Sequence, residues 1–196
     1  GPGVGGQTRM IGGWAPGAGV TQYPEGTGIR VAVGEVIVMQ VHYNTSNGPP
    51  LADRTRVKLE FAQQPVNLAT IMPFADDSFT IPPQSTGDHL YTHWNEITLP
   101  SLFLSTAKVW GITPHMHQMG RRIRVSRLSP QTCLIDVPNW DFHWQQPYAY
   151  ATPIDVKGGE TFHIECTWDN PTDSTVKWGE GTADEMCIAF FYATVP

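Results

Sequence analysis

The chain has 196 residues, enough to bury a sizeable core in one large β domain or a domain and a half. Its net charge of −6 comes with only 15% charged residues, so the overall balance attracts no polyanion and nucleic acid is not expected as a partner. The longest apolar stretch, 31–41, is broken by Gly34, Glu35 and Gln40 and falls short of the roughly 18 apolar residues of a membrane-spanning helix, so no membrane partner is expected either.

The chain begins Gly1-Pro2-Gly3, a pattern of the kind left by protease cleavage of an excised piece, and the native start is expected further upstream. Along it, β-branched and aromatic runs at 35–43, 55–61, 69–74, 89–99, 108–117, 121–128, 133–137, 161–168, 175–178 and 186–194 read as strands. Nineteen glycines and 17 prolines punctuate them, as in Gly48-Pro49-Pro50, Pro82-Pro83, Gly158-Gly159 and Asn170-Pro171. No longer stretch keeps a helical apolar period, so the expected fold is all-β: an antiparallel β-sandwich or jelly roll. The segment 45–53, with Ser46, Asn47, Gly48, Pro49 and Pro50, is the candidate linker between two units. Arg121, Arg122, Arg124 and Arg127 alternate partly with apolar residues and read as the wet face of a strand rather than an anion site.

The sharpest chemical signal is Thr113-Pro114-His115-Met116-His117. Alternate side chains of a strand share a face, so His115 and His117 are placed to grip one ion. In a chain with seven histidines such a pair also arises by chance, and spacing alone leaves open two ordinary strand histidines. Met186, in Asp184-Glu185-Met186-Cys187, precedes an apolar run and reads either as core packing or as a third ligand. Met119 is the alternative thioether, although Gly120 beside it suggests a turn. Two imidazoles and a soft thioether would favour copper over zinc, magnesium or calcium. His89, His93, His143 and His163 read as packed or solvent-tipped side chains, and Trp140, Phe142 and Trp144 as lining the edge of the core. Three cysteines are too few for a disulfide-built scaffold, and pairing two leaves one over.

Three ordered motifs carry a resemblance. His115-Met116-His117-Gln118-Met119-Gly120-Arg121, then Trp140-Asp141-Phe142-His143-Trp144-Gln145-Gln146-Pro147-Tyr148, then Trp178-Gly179-Glu180-Gly181-Thr182-Ala183-Asp184-Glu185-Met186-Cys187 follow the order of the copper type II ascorbate-dependent monooxygenases. Gly13-Trp14-Ala15-Pro16-Gly17 and Gln40-Val41-His42-Tyr43 upstream are similar too, so the resemblance covers nearly the whole chain, and it is strongest to bacterial members.

The resemblance implies that His115, His117 and Met186 bind the copper at which dioxygen is activated, with ascorbate as reductant and hydroxylation of an unactivated C–H bond in a small organic substrate as the outcome. It makes residues 1–53 the last strands and linker of a first, electron-storing jelly roll whose remainder lies upstream, and 54–196 the catalytic jelly roll. His42 then becomes one of three histidines on a second copper, the other two lying upstream; in this chain by itself it reads rather as a strand histidine bonded to its neighbours. Hydroxylation consumes two electrons and one copper cycling between Cu(I) and Cu(II) supplies one, so the chain by itself is expected to bind one copper with little turnover, whereas an intact member holds two. Peptide-amidating members grip a substrate carboxylate at three positions occupied here by Thr113, Ile188 and Phe190, which argues against a glycine-extended peptide. Cys166 and Cys187 match a pair that is bridged in animal members, with Cys133 left unpaired, and the family implies a secreted or periplasmic, extracytoplasmic setting. A non-catalytic copper-binding or delivery protein is the alternative, and a plain interaction module with structural histidines a third reading.

Overall fold

The computed structural model describes residues 8–43, 48, 52–100 and 106–195. Eleven strands are defined among them: β1 (Thr27–Ile29), β2 (Asn67–Ala75), β3 (Thr80–Ile81), β4 (Tyr91–Thr98), β5 (Ala107–His115), β6 (Gly120–Leu128), β7 (Gln131–Val137), β8 (Tyr148–Val156), β9 (Thr161–Trp168), β10 (Val176–Lys177) and β11 (Ile188–Thr194). One sheet has the order β1-β2-β11-β5-β8 and the other β4-β9-β6-β7, while β10 and β3 form a short ribbon. Every pairing is antiparallel except β1 with β2. The expected all-β sandwich is what forms, and no helix among the described residues is long and apolar enough to cross a membrane.

The two sheets face each other across residues that the period-2 pattern selects. On β9 the alternate residues Phe162, Ile164, Cys166 and Trp168 are buried, on β6 Ile123 and Val125, and on β11 Ala189, Phe191 and Ala193. Phe74 of β2 stacks on Phe191 at 4.2 Å and meets the edge of Phe162 at 5.4 Å, closing the core from both layers. Each such aromatic contributes about 1.5–3 kcal/mol through burial.

Of the β6 arginines, Arg121 and Arg122 keep to the wet side as expected while Arg127 is largely covered, and each of the three finds a carboxylate: Arg121 with Asp169, Arg122 with Asp136 and Arg127 with Glu160. The Arg122 guanidinium holds the Asp136 carboxyl below its ordinary value.

The strand expectations need correction at both ends of the pattern. Stretches 35–43 and 55–61 have the composition of strands, yet no ladder partner exists for them among the described residues, and Val36, Val38, Tyr43, Val57 and Phe61 remain exposed. A strand is defined by its neighbour, and propensity without a neighbour gives extended chain. Conversely, β8 forms although its Tyr-Ala-Tyr-Ala-Thr-Pro-Ile-Asp-Val run looks weak. It is an edge strand, where the missing N–H of Pro153 costs no ladder bond. The short β1 and β3 also form where no strand is expected from sequence, and 175–178 shrinks to the two residues of β10. Most of the expected linker, 45–53, lies outside the described residues.

Cys166 and Cys187 are bridged, with 6.0 Å between their Cα atoms and both thoroughly buried, whereas Cys133 is free and exposed on β7. The bridge ties β9 in one sheet to the residue just before β11 in the other. Closing a loop of 21 residues restricts the unfolded chain by about 3 kcal/mol. Cys166→Ser with Cys187→Ser is therefore expected to lower the unfolding free energy by about 3 kcal/mol in urea titrations; a loss below about 1 kcal/mol would show that the rivet is dispensable.

Candidate metal centre

The site begins with the pairing of β5 and β11. Their antiparallel register sets Ile188 opposite His115, Ala189 opposite Pro114 and Phe190 opposite Thr113. Opposed residues share a face, so Thr113, His115, Ile188 and Phe190 lie on the outer side of the sheet, while Pro114, Ala189 and Phe191 belong to the inner side. Met116 and Cys187, both fully buried in the core, keep that alternation past the strand ends. Pro114 suits its place, because the β5–β8 ladder has its last pair at Ile112 and Tyr148, and one edge of β5 is unpaired beyond it.

His115 and His117 come together on that outer side, with ring centroids 5.2 Å apart and planes nearly perpendicular. Each ring is fixed from behind. His115 donates from Nδ1 to Gln145 Oε1 at 2.7 Å, and His117 donates from Nδ1 to the Asp184 carbonyl at 2.8 Å. Because both partners are acceptors, each proton sits on Nδ1 and each Nε2 keeps its lone pair. Burial, with the neighbouring His117 adding to it and the bond to Gln145 opposing, pushes the His115 imidazole down to about 4, so the ring is neutral at physiological pH.

The turn that carries His117 is built around a buried carboxylate. Glu185, 1% exposed, accepts the backbone N–H groups of His117 at 3.0 Å and Met119 at 2.6 Å, together with Trp168 Nε1–H at 3.1 Å and its neighbour Met186 N–H at 3.3 Å. Burial pushes its carboxyl up to about 7, against those four donors, which favour the charged form. The His117 carbonyl accepts from Gly120 N–H at 3.3 Å and from Trp140 Nε1–H at 3.2 Å. At Gly120 a Cβ would come within 2.7 Å of the Trp140 ring and 2.9 Å of Met116 Cβ, so glycine is required for the turn to close.

Met186 lies two residues before Ile188, in a segment whose neighbours Asp184 and Glu185 both bond His117. The last β5–β11 pair joins Ile188 to His115, two residues from Met186 on one side and from His117 on the other. Met119, the competing thioether, instead packs against the hydrophobic core. His42 is exposed, and its Nε2 accepts from the Gln40 amide at 2.8 Å; no hydrogen bond or ring contact among the described residues joins it to His115 or His117.

The remaining histidines lie away from the pair. His93 bonds the fully buried Asp76 at 2.6 Å, His163 stacks on Trp94 with Glu96 and Glu165 each 3.9 Å away, His143 is exposed 3.5 Å from Asp141, and His89 ends a short 3-10 turn, Gly87–His89. Trp140 is buried as expected and Phe142 meets the edge of His117 at 6.4 Å, but Trp144 is largely exposed rather than lining the core. Among the described residues no three His, Cys, Asp or Glu side chains cluster as a metal site. Sequence reasoning missed Gln145, Asp184 and Glu185 as orienting groups, since nothing in their spacing marks them.

The separation of the two rings is compatible with one shared ion. Ring nitrogens hold metals at about 2.0–2.1 Å, which places an ion roughly 3 Å from each ring centre and two rings sharing it at a tetrahedral angle roughly 5 Å apart. The observed 5.2 Å agrees, and second acceptors on both Nδ1 atoms are what oriented ligand imidazoles need.

Comparison with known proteins points the same way. The sequence profile described as copper type II ascorbate-dependent monooxygenase, C-terminal domain, matches residues 66–194. Over 205 aligned residues the chain is 23% identical to DBH-like monooxygenase protein 2 of Mus musculus, an alignment covering 94% of this chain and 32% of that protein, so the chain spans about a third of its relative's length.

Glu185→Ala should destabilise the metal-free protein by about 3 kcal/mol or more, since four N–H donors lose their acceptor in a buried setting. Urea unfolding measures it, and a change within experimental error would remove Glu185 as the anchor of the His117 turn.

Proposed function

The chain belongs to the copper type II ascorbate-dependent monooxygenase family, and on that premise we propose that His115, His117 and Met186 hold a copper at which dioxygen is activated to hydroxylate an unactivated C–H bond. The observation that carries this reading is the pair of imidazoles 5.2 Å apart, each with Nδ1 committed to an acceptor so that Nε2 keeps its lone pair. A thioether as third ligand is soft and favours Cu(I), the state in which such a centre meets dioxygen. Copper supplies the one-electron and dioxygen chemistry; the protein supplies position.

The residues around the pair divide that work. Gln145 and the Asp184 carbonyl fix the imidazole orientations, and Glu185 holds the His117 turn and the Met186 backbone together. Thr113, Ile188 and Phe190, on the same outer side, give a substrate surface with one hydroxyl and two apolar side chains. That chemistry suits a small organic substrate without a carboxylate anchor, in line with the argument against a glycine-extended peptide.

The same reading assigns 1–53 to the last strands and linker of a first jelly roll, with His42 as one ligand of a second, electron-storing copper, and 54–196 to the catalytic domain. Support comes from 35–43, which is strand-like in composition, largely apolar, exposed and without a ladder partner among the described residues. Ascorbate as the electron source and dioxygen and organic substrate as partners follow from the family. The buried disulfide agrees with an oxidising, extracytoplasmic compartment.

A second reading, a copper carrier without catalysis, is favoured by the apolar substrate positions and by His42 bonding Gln40, with no hydrogen bond or ring contact to His115 or His117 among the described residues. Both readings require the His-His-Met site. Copper(I) at about 100 times its dissociation constant should raise the unfolding free energy by about 2.7 kcal/mol. His115→Ala with His117→Ala should weaken copper binding by on the order of 100-fold or more in a chelator competition, and Met186→Ile should weaken Cu(I) more than Cu(II). Unchanged affinity in the double histidine variant would sink the site. Enzyme and carrier then separate in the protein extended through its upstream domain: ascorbate and oxygen consumption coupled to a hydroxylated product marks the enzyme, and copper transfer without oxygen uptake the carrier.

A further inference from the structure

The turn Ala15-Pro16-Gly17-Ala18 lies nearly one hundred positions before the histidine pair, yet it touches the loop that carries Gln145. Ala18 N–H bonds the Ala15 carbonyl at 3.0 Å across Pro16 and a Gly17 of φ 83°, the geometry of a type II turn with proline first and glycine second. Trp14 Nε1–H closes it from outside on the Ala18 carbonyl at 3.0 Å. In such a turn the central carbonyl is free of the turn's own hydrogen bond, and here Pro16 O accepts the backbone N–H of Gln145 at 3.0 Å. The next carbonyl, Gly17 O, accepts the Gln146 side-chain amide.

The contact is close as well as bonded. A Cβ on Gly17 would stand 2.3 Å from the His143 carbonyl oxygen and 2.8 Å from Trp144 Cα, so the turn seats directly on the 143–144 backbone. Gln145, 3% exposed, is thereby held by three bonds: its N–H to Pro16 O, its Nε2 to the Phe142 carbonyl at 2.8 Å, and its Oε1 to His115 Nδ1. Only the last faces the metal centre. The first two set where Oε1 stands.

We propose that the Ala15–Ala18 turn is a positioning element of the metal centre: by seating the 143–146 loop it places Gln145 Oε1 and so fixes the orientation and tautomer of His115. This rests on the copper reading for its functional meaning, but the linkage from turn to imidazole is a property of the metal-free protein. Residues that orient ligand imidazoles typically change metal affinity about 10–100-fold when lost, and the turn acts one step further out. It therefore explains why a segment of the first fifty residues bears on a site formed by β5 and β11.

The test uses Gly17→Ala, which adds the clashing Cβ and penalises the positive φ, together with the milder Gln146→Ala and the direct Gln145→Ala. In the metal-free full chain, nitrogen-edited proton NMR reads the His115 Nδ1–H. The signal should be protected from exchange in the parent, exchange at least about 10-fold faster in Gly17→Ala and by a smaller factor in Gln146→Ala. In the copper arm, chelator competition should show affinity lowered on the order of 10-fold in Gly17→Ala. Gly17→Ala combined with Gln145→Ala should be no weaker than Gln145→Ala alone, because both act through one bond. Near-ultraviolet circular dichroism verifies the fold; should Gly17→Ala not fold, the Gln146→Ala exchange rate decides. An unaltered His115 Nδ1–H in a folded Gly17→Ala or Gln146→Ala protein, or additive losses in the double variant, overturns the proposal. A parent protein that binds no copper, while the variants still release the Nδ1–H, overturns the copper reading and leaves the turn's role standing.

Discussion

Everything at the site depends on the register between β5 and β11. Pairing Ile188 with His115 brings a histidine pair and a segment some seventy positions later onto one outer face, and a slip of one residue would send His115 into the core and Met116 out of it. The register is held from the inside, where Ile112, Ala189 and Phe191 must meet Phe74 and Phe162, and from the end, where the Cys166–Cys187 bridge pins the residue before β11 to the opposite sheet. The core thus fixes the site without contributing a functional group to it.

Around that ladder the polar groups are arranged to finish what packing begins. A buried glutamate collects four N–H donors from three separate stretches of chain, and a buried glutamine collects contacts from two more. Fully bonded polar groups of this kind specify one arrangement, since any other leaves a donor or acceptor without a partner in a dry environment. The histidines are consequently the least free members of the cluster: their backbones belong to a strand end and a closed turn, and their Nδ1 atoms are committed.

Much of this was legible from the sequence. Eight of the strands coincide with β-branched and aromatic runs, β9 most clearly, and the two histidine rings come to 5.2 Å although His117 stands in the turn past β5 rather than on the strand. The disulfide followed from resemblance rather than from spacing. What stayed hidden depends on neighbours: β8 has a weak pattern because it is an edge strand supported by β5, and 35–43 and 55–61 have a strong pattern with no partner to satisfy it. Asp184 and Glu185 reach His117 only through folding, which is a tertiary fact. Gln145 and Glu185 carry no periodic signal, because their role lies in which donors and acceptors face them after folding.

The alternation along β11 has a further consequence. Ala189, Phe191 and Ala193 point into the sandwich, while Ile188, Phe190 and Tyr192 point the other way, with Ile188 buried yet outside the main core cluster and Tyr192 stacked on Tyr23 at 4.6 Å. Odd and even positions of a single strand therefore meet different surroundings: a change at an odd position disturbs the aromatic interior, whereas one at Phe190 or Tyr192 is felt on the far side of the sheet.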